Sequence, residues 1–152
     1  MKCHILIFMC VFATLVANCQ TVVKNNIEYK SVKLVAGDKV FLALKDTAQK
    51  HLQTFITGVN AHGLDLKNYR FDVKSDFVQN GRHEHMWSTI YEYKNGNFKG
   101  VFIDSAFTVK KMKMGQKVII NRSAIEDWSI ENINTGKIIG QFSAKYLDSQ
   151  KK

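Results

Sequence analysis

His83 and His85 stand two apart in the stretch His-Glu-His-Met-Trp-Ser-Thr-Ile-Tyr-Glu-Tyr, residues 83–93, where aromatic side chains are densest. In an extended strand that spacing places both imidazoles on one face, close enough to share a metal ion. Structural zinc takes four ligands and catalytic zinc three plus water. Such a site would have to recruit His62 or Asp127, and nothing in the sequence demands either, so no metal or other cofactor is expected. Glu84 and Asp127 are the acids embedded among the aromatics. With His85 they compose a general acid–base set of the kind an envelope hydrolase uses. The competing reading is structural. An Asp just before a Trp at a strand entrance caps the turn by accepting backbone N–H groups, and Glu84 is expected to pair with Arg70, Lys74 or Arg82.

Other chemistries lack their parts. No Ser sits between glycines as a nucleophile elbow, and no Gly-rich phosphate loop is present. The three cysteines, Cys3, Cys10 and Cys19, all fall within an N-terminal leader, leaving the body without a thiol nucleophile or an internal disulfide. These gaps favour binding over catalysis. The candidate surface comprises Glu84, His85, Trp87, Tyr91, Asp127 and Trp128. Strand alternation sets Trp87, Tyr91 and Tyr93 on the face of His85, with Met86 and Ile90 on the other. If Met86 and Ile90 face the core, the aromatic row becomes a binding surface; if they do not, the row is core. Trp87 and Trp128 are expected inside, Tyr91 and Tyr93 partly exposed.

The elements that must position these residues follow from periodicity. Val40, Leu44, Ala48, Leu52, Phe55, Ile56 and Val59 recur at three-and-four spacing, predicting one helix that starts at the N-cap Asp38 and ends by Gly63, with Gly58 weakening its last turn. From Tyr69 the period becomes two: Tyr69, Phe71, Val73 and Phe77 point one way, Arg70, Asp72, Lys74 and Asp76 the other. Asn80-Gly81, Asn95-Gly96 and Asn134-Thr135-Gly136 read as tight turns. Further strands are predicted at Phe98 to Ile103, Lys117 to Asn121, Trp128 to Ile133 and Lys137 to Phe142, with an irregular turn at Arg122 to Asp127 and a helical end at Ser143 to Leu147. A helix followed by five to six short strands predicts an α+β fold: an N-terminal helix on an antiparallel sheet whose later strands can curl into an SH3-like half-barrel.

Length and charge bound the rest. The 152 residues suit one domain, and 45% hydrophobic with 23% charged content is ordinary for a globular core. Lys2 followed by the apolar run Ile5 to Ala17 reads as an export signal over residues 1–19, shorter than the roughly 20 residues a membrane span needs. Val16-Ala17-Asn18-Cys19 resembles a lipobox with Asn18 at a position that usually holds a small residue, so Cys19 is a lipidation candidate; cleavage after Cys19 is the alternative. Residues 20–36 read as a tether and 37–152 as a single domain. Export places the body in the periplasm or anchors it at the cell envelope. The chain carries a formal +9, and the leader holds one Lys and no acid, which leaves +8 on the body. Nucleic acid is not expected as a partner, because the bases are dispersed apart from Lys110-Lys111-x-Lys113, which lacks interleaved aromatics. An anionic membrane surface suits that charge better, together with a protein or other envelope component as partner.

Glu84-His85-Met86-Trp87, Gly100, Gly115, Ile125-x-Asp127-Trp128, Gly140 and a terminal Phe142 to Leu147 segment, taken in order and spacing, resemble the bacterial family called domain of unknown function 2314, the YegJ-like proteins. The resemblance runs over about residues 38 to 148. Where that family tends to carry Asn-x-Pro, this chain has Asp104-Ser105-Ala106. It implies the fold and a bacterial source, and no reaction.

Overall fold

Asp38 starts the first helix as predicted: its Oδ1 accepts from Phe41 N at 2.9 Å. The computed structural model describes residues 37–107, 109 and 111–149; the leader, the tether and Cys19 lie outside the described residues. In place of one helix there are two, α1 (Lys39–Lys50) and α2 (Leu52–His62). They meet at His51, whose φ of −96° and ψ of 4° leave the helical region. The break re-aims the apolar stripe. α1 packs chiefly on a single strand near the end of the chain, and α2 crosses three strands, so one straight axis could not serve both. Leu52, Phe55, Ile56 and Val59 are buried, whereas in α1 only Ala48 is, and Val40 is 52% exposed. Gly58 also has a different role from the one expected. A Cβ there would lie 2.9 Å from the Phe71 ring and 3.0 Å from Ile130 Cδ1, so glycine lets α2 approach the sheet.

Six antiparallel strands follow: β1 (Tyr69–Gln79), β2 (Arg82–Lys94), β3 (Asn97–Phe102), β4 (Lys117–Asn121), β5 (Ile125–Asn132) and β6 (Lys137–Gly140), then α3 (Ala144–Ser149). The spatial order is β4-β3-β2-β1-β5-β6. The sheet is not closed into a barrel, and β4 and β6 form its edges; the α+β class holds. Asn80 (φ 52°) with Gly81 and Asn95 (φ 51°) with Gly96 make the two hairpins that flank β2, the positive φ values asparagine and glycine tolerate best. The turn before β5 is shorter than predicted. Arg122–Ala124 form one 3-10 turn, and the strand begins at Ile125 because Gln49 Nε2 donates to both Ile125 O (2.5 Å) and Arg122 O (3.2 Å), drawing the chain against α1.

Phe55 is the centre of the core. Its ring lies 5.6 Å from Phe98, 5.6 Å from Trp128 and 5.9 Å from Phe71, centroid to centroid. Burying such a side chain contributes about 2–3 kcal/mol, and edge-on aromatic contacts add to it. Trp128 enters the same cluster and donates Nε1–H to Ala48 O at 2.8 Å, which satisfies its polar atom and ties β5 to α1. Met86, Phe102 and Val109 are buried outside this cluster, Val109 within the segment joining β3 to β4.

Candidate functional site

Which way β2 faces is decided by its partners. Ser88 pairs with Val73 and Met86 with Ser75, and Met86, Ser88 and Ile90 are buried toward the helices. His85, Trp87 and Thr89 therefore lie on the other face of the sheet, opposite Asp76, Lys74 and Asp72 of β1, where Phe41 and Lys45 of α1 also reach. Trp87 is thus half-buried on the second face and not in the core, contrary to expectation. A register shift between Ile90 and Glu92 then reverses the alternation. Tyr93 packs its ring 4.7 Å from Phe98 on the core side, while Tyr91 borders a shallow recess with Val59, Gly63 and Leu64; both tyrosines are partly exposed.

The proposed acid–base set is dispersed. Asp127 is fully buried, and all of its acceptor capacity goes to its own fold: Oδ1 accepts from Trp128 N (2.8 Å) and Phe142 N (3.0 Å), Oδ2 from Ser143 N (2.9 Å) and Ser143 Oγ (2.5 Å). It caps two turns at once, clamping the segment after β6 onto β5. Glu84 does not pair with Arg70, Lys74 or Arg82. Its Oε1 accepts from Phe107 N at 2.6 Å and its Oε2 from Val109 N at 3.0 Å, so it latches the segment between β3 and β4. Its partners differ from those expected because β2 runs past the end of β3 there, and the returning chain offers backbone N–H groups that a carboxylate binds strongly.

The histidines part company as well. His83 Nδ1 meets Asp76 Oδ2 at 2.6 Å, and His85 Nδ1 meets Glu126 Oε2 at 2.5 Å, each ring turned to its own carboxylate. His62 stacks on Tyr69 at 4.6 Å, at the far end of β1. Among the described residues no three His, Cys, Asp or Glu side chains form a group able to hold a metal ion.

Residues that sequence periodicity had left in solvent supply most of the second face's electrostatics. Glu126, the extra residue of a bulge opposite Lys74 and Ser75, also takes Lys45 Nζ at 3.2 Å. The bond to Glu126 raises the pKa of His85 against the opposing effect of burial. For Glu126, burial favours the neutral acid, but the bonds from His85 and Lys45 hold its pKa below the usual carboxylate range. Lys74 is buried beside them with its ammonium 5.7 Å from the Phe41 ring centroid; burial pushes its pKa down although Glu126 and Asp127 attract the charge. Asp72 accepts from Arg70 Nε (2.9 Å) and Thr89 Oγ1 (2.7 Å), yet burial still raises its pKa. Asp72 and Trp87 line a recess of about 200 Å³ together with Ile103, Asp104, Ser129 and Gln141. The signal for these residues was their place on β1 and β5, two interior strands with neighbours on both edges.

Fold and site together define a small α+β domain with two helices packed on an open antiparallel sheet and a network of bonded charges shared by β1, β2, β5 and α1. The family model for an uncharacterised protein conserved in bacteria, DUF2314, matches residues 38–151, and the chain belongs to that family. No curated protein matches the chain, and no solved structure does.

Proposed function

We propose that this is a non-catalytic binding domain of the bacterial cell envelope, which engages a protein or another envelope component through the sheet face that carries Trp87. An inhibitor-type module, guarding against a secreted toxin or an envelope enzyme, is one concrete form of it. One observation carries the reading: the carboxylates of Glu84 and Asp127 are consumed as backbone caps, while Trp87 opens into a recess beside Asp72 and Asp104. A hydrolase using Glu84, His85 and Asp127 would need those caps released and three separated side chains gathered. A large aromatic ring in a partly desolvated recess, rimmed by carboxylates, is the kind of anchor that dominates binding interfaces.

Affinity capture from envelope extracts tests this with three baits: the wild-type chain, Trp87→Ser and the exposed α1 control Lys50→Glu. A partner held by wild type and Lys50→Glu and lost by Trp87→Ser is expected. Retention by all three baits would remove Trp87 from the interface. Turnover of an envelope polymer that disappears in His85→Gln would overturn the non-catalytic reading.

A further inference from the structure

The segment between β3 and β4 divides its apolar residues in an unusual way. Val109 is fully buried and anchors it, whereas Phe107 is 81% and Met114 66% exposed, among the most exposed large apolar side chains in the described chain. Local disorder does not account for that outward placement, because the two arms are bonded to each other: Ala106 N donates to Met112 O (2.9 Å), Met114 N to Ser105 Oγ (3.1 Å) and Gly115 N to Phe102 O (2.8 Å). Glu84 fixes the outer arm through Phe107 N and Val109 N. Lys111, at a positive φ of 78°, and Lys113 are exposed between the two apolar side chains. Nothing in the packing requires a Phe and a Met to face water there, and the charged residues between them in sequence are all lysines.

We propose that this segment is a membrane-contacting loop: Phe107 and Met114 enter the interface of an anionic bilayer, Lys111 and Lys113 meet its headgroups, and Glu84 is the positioning residue that presents them. Apolar side chains ringed by lysines bind such surfaces by combining buried apolar area with attraction to anionic lipid. Net charge agrees in sign, at +9 for the chain. The point of entry agrees as well. Phe41, in the first turn of α1, has its ring 6.4 Å from His85, the residue after Glu84 on β2, so the start of α1 lies against the strand that holds the loop. The inference shares the envelope location with the proposed function and is independent of the Trp87 recess.

The test uses the full chain carrying Cys19→Ser, so that no acyl group contributes, purified as the cell processes it. It is sedimented with vesicles of phosphatidylcholine alone or mixed with phosphatidylglycerol, at low and high salt. Retention on the mixed vesicles at low salt is expected, falling with salt. Phe107→Ser/Met114→Ser and Lys111→Glu/Lys113→Glu should each lower vesicle affinity by about tenfold or more, and Trp87→Ser should leave it unchanged. Glu84→Gln, with a melting curve showing that it folds, should weaken binding as well. Wild type failing to sediment with anionic vesicles overturns the proposal, as do double variants that sediment as wild type does. Loss with Trp87→Ser in place of the loop variants would shift membrane contact to the recess and refute the loop.

Discussion

Replacing Asp127 separates a structural carboxylate from a chemical one. Asp127→Ala removes the acceptor for four donors, and three of them belong to the buried residues Trp128 and Ser143, where water cannot easily substitute. Each buried donor left unmade costs about 1–3 kcal/mol; because the freed segment can relax partly toward solvent through Phe142, a total of about 3–5 kcal/mol is expected. That is a large share of a typical stability of roughly 5–15 kcal/mol. Asp127→Asn keeps one acceptor oxygen but turns an NH₂ group toward the Ser143 donors, so its loss should be about 2 kcal/mol. Urea unfolding of wild type and both variants, followed by circular dichroism and by Trp fluorescence, gives these differences. Trp128 lies beside the lesion and reports it directly. A carboxylate held in place for catalysis commonly costs stability, so that its removal stabilises. If Asp127→Ala unfolds within about 1 kcal/mol of wild type, or is more stable, the capping argument is wrong.

The bond between His85 and Glu126 makes stability pH-dependent in two directions. Since the folded pKa of His85 is raised, its contribution is complete below the unfolded value and fades as pH rises through the folded one. Glu126, with its pKa lowered, contributes above the ordinary carboxylate range and loses that contribution as pH falls through its depressed value. The unfolding free energy of wild type from urea curves should therefore decline relative to His85→Gln as pH rises through and above the ordinary imidazole range, by less than about 1 kcal/mol because the imidazole is partly exposed; parallel pH dependences would refute the coupling. Gly140→Ala should cost more than about 3 kcal/mol, since φ is +89° and a Cβ would stand 2.2 Å from Trp128 O, whereas Gly96→Ala, at φ +76° in open space, should cost about 1 kcal/mol. Equal melting temperatures for the two variants would show that steric contact at Gly140 does not matter.

Much of the frame was legible because it rests on local rules. Asp38, the Asn-Gly hairpins and the alternation of Phe71 and Val73 behave as their residue types dictate. Asp127 too was readable as a cap, from an acid preceding a Trp at a strand entrance. The helix break at His51 was not, because it answers to the different strands that α1 and α2 cover, which only the assembled sheet reveals. Trp87 was misplaced inside for a similar reason: a Trp in an alternating strand fits either face, and the pairing of Ser88 with Val73 decides between them. Glu84 failed most instructively. The partners considered were cations close in sequence or on the adjacent strand, and the actual ones are peptide N–H groups of a segment more than twenty residues downstream. The period placed Asp72 and Lys74 on the correct face of β1 but gave no sign of their burial or of that of Glu126, since β1 and β5 each have strand neighbours on both edges.

The strand order has a consequence for how the chain assembles. β1, β2 and β3 are joined by two tight hairpins and can pair as soon as they are made, whereas β5 must insert beside β1 after three intervening strands, at register Tyr69 with Asn132. Closing so long a loop costs entropy that only the finished contacts offset. Docking of β5, with Trp128 and the Asp127 clamp, is accordingly expected to be the late event, with the β1–β3 meander as the nucleus. Substitutions in β5 should then speed unfolding while leaving refolding rates nearly unchanged, and those in the hairpins should slow refolding.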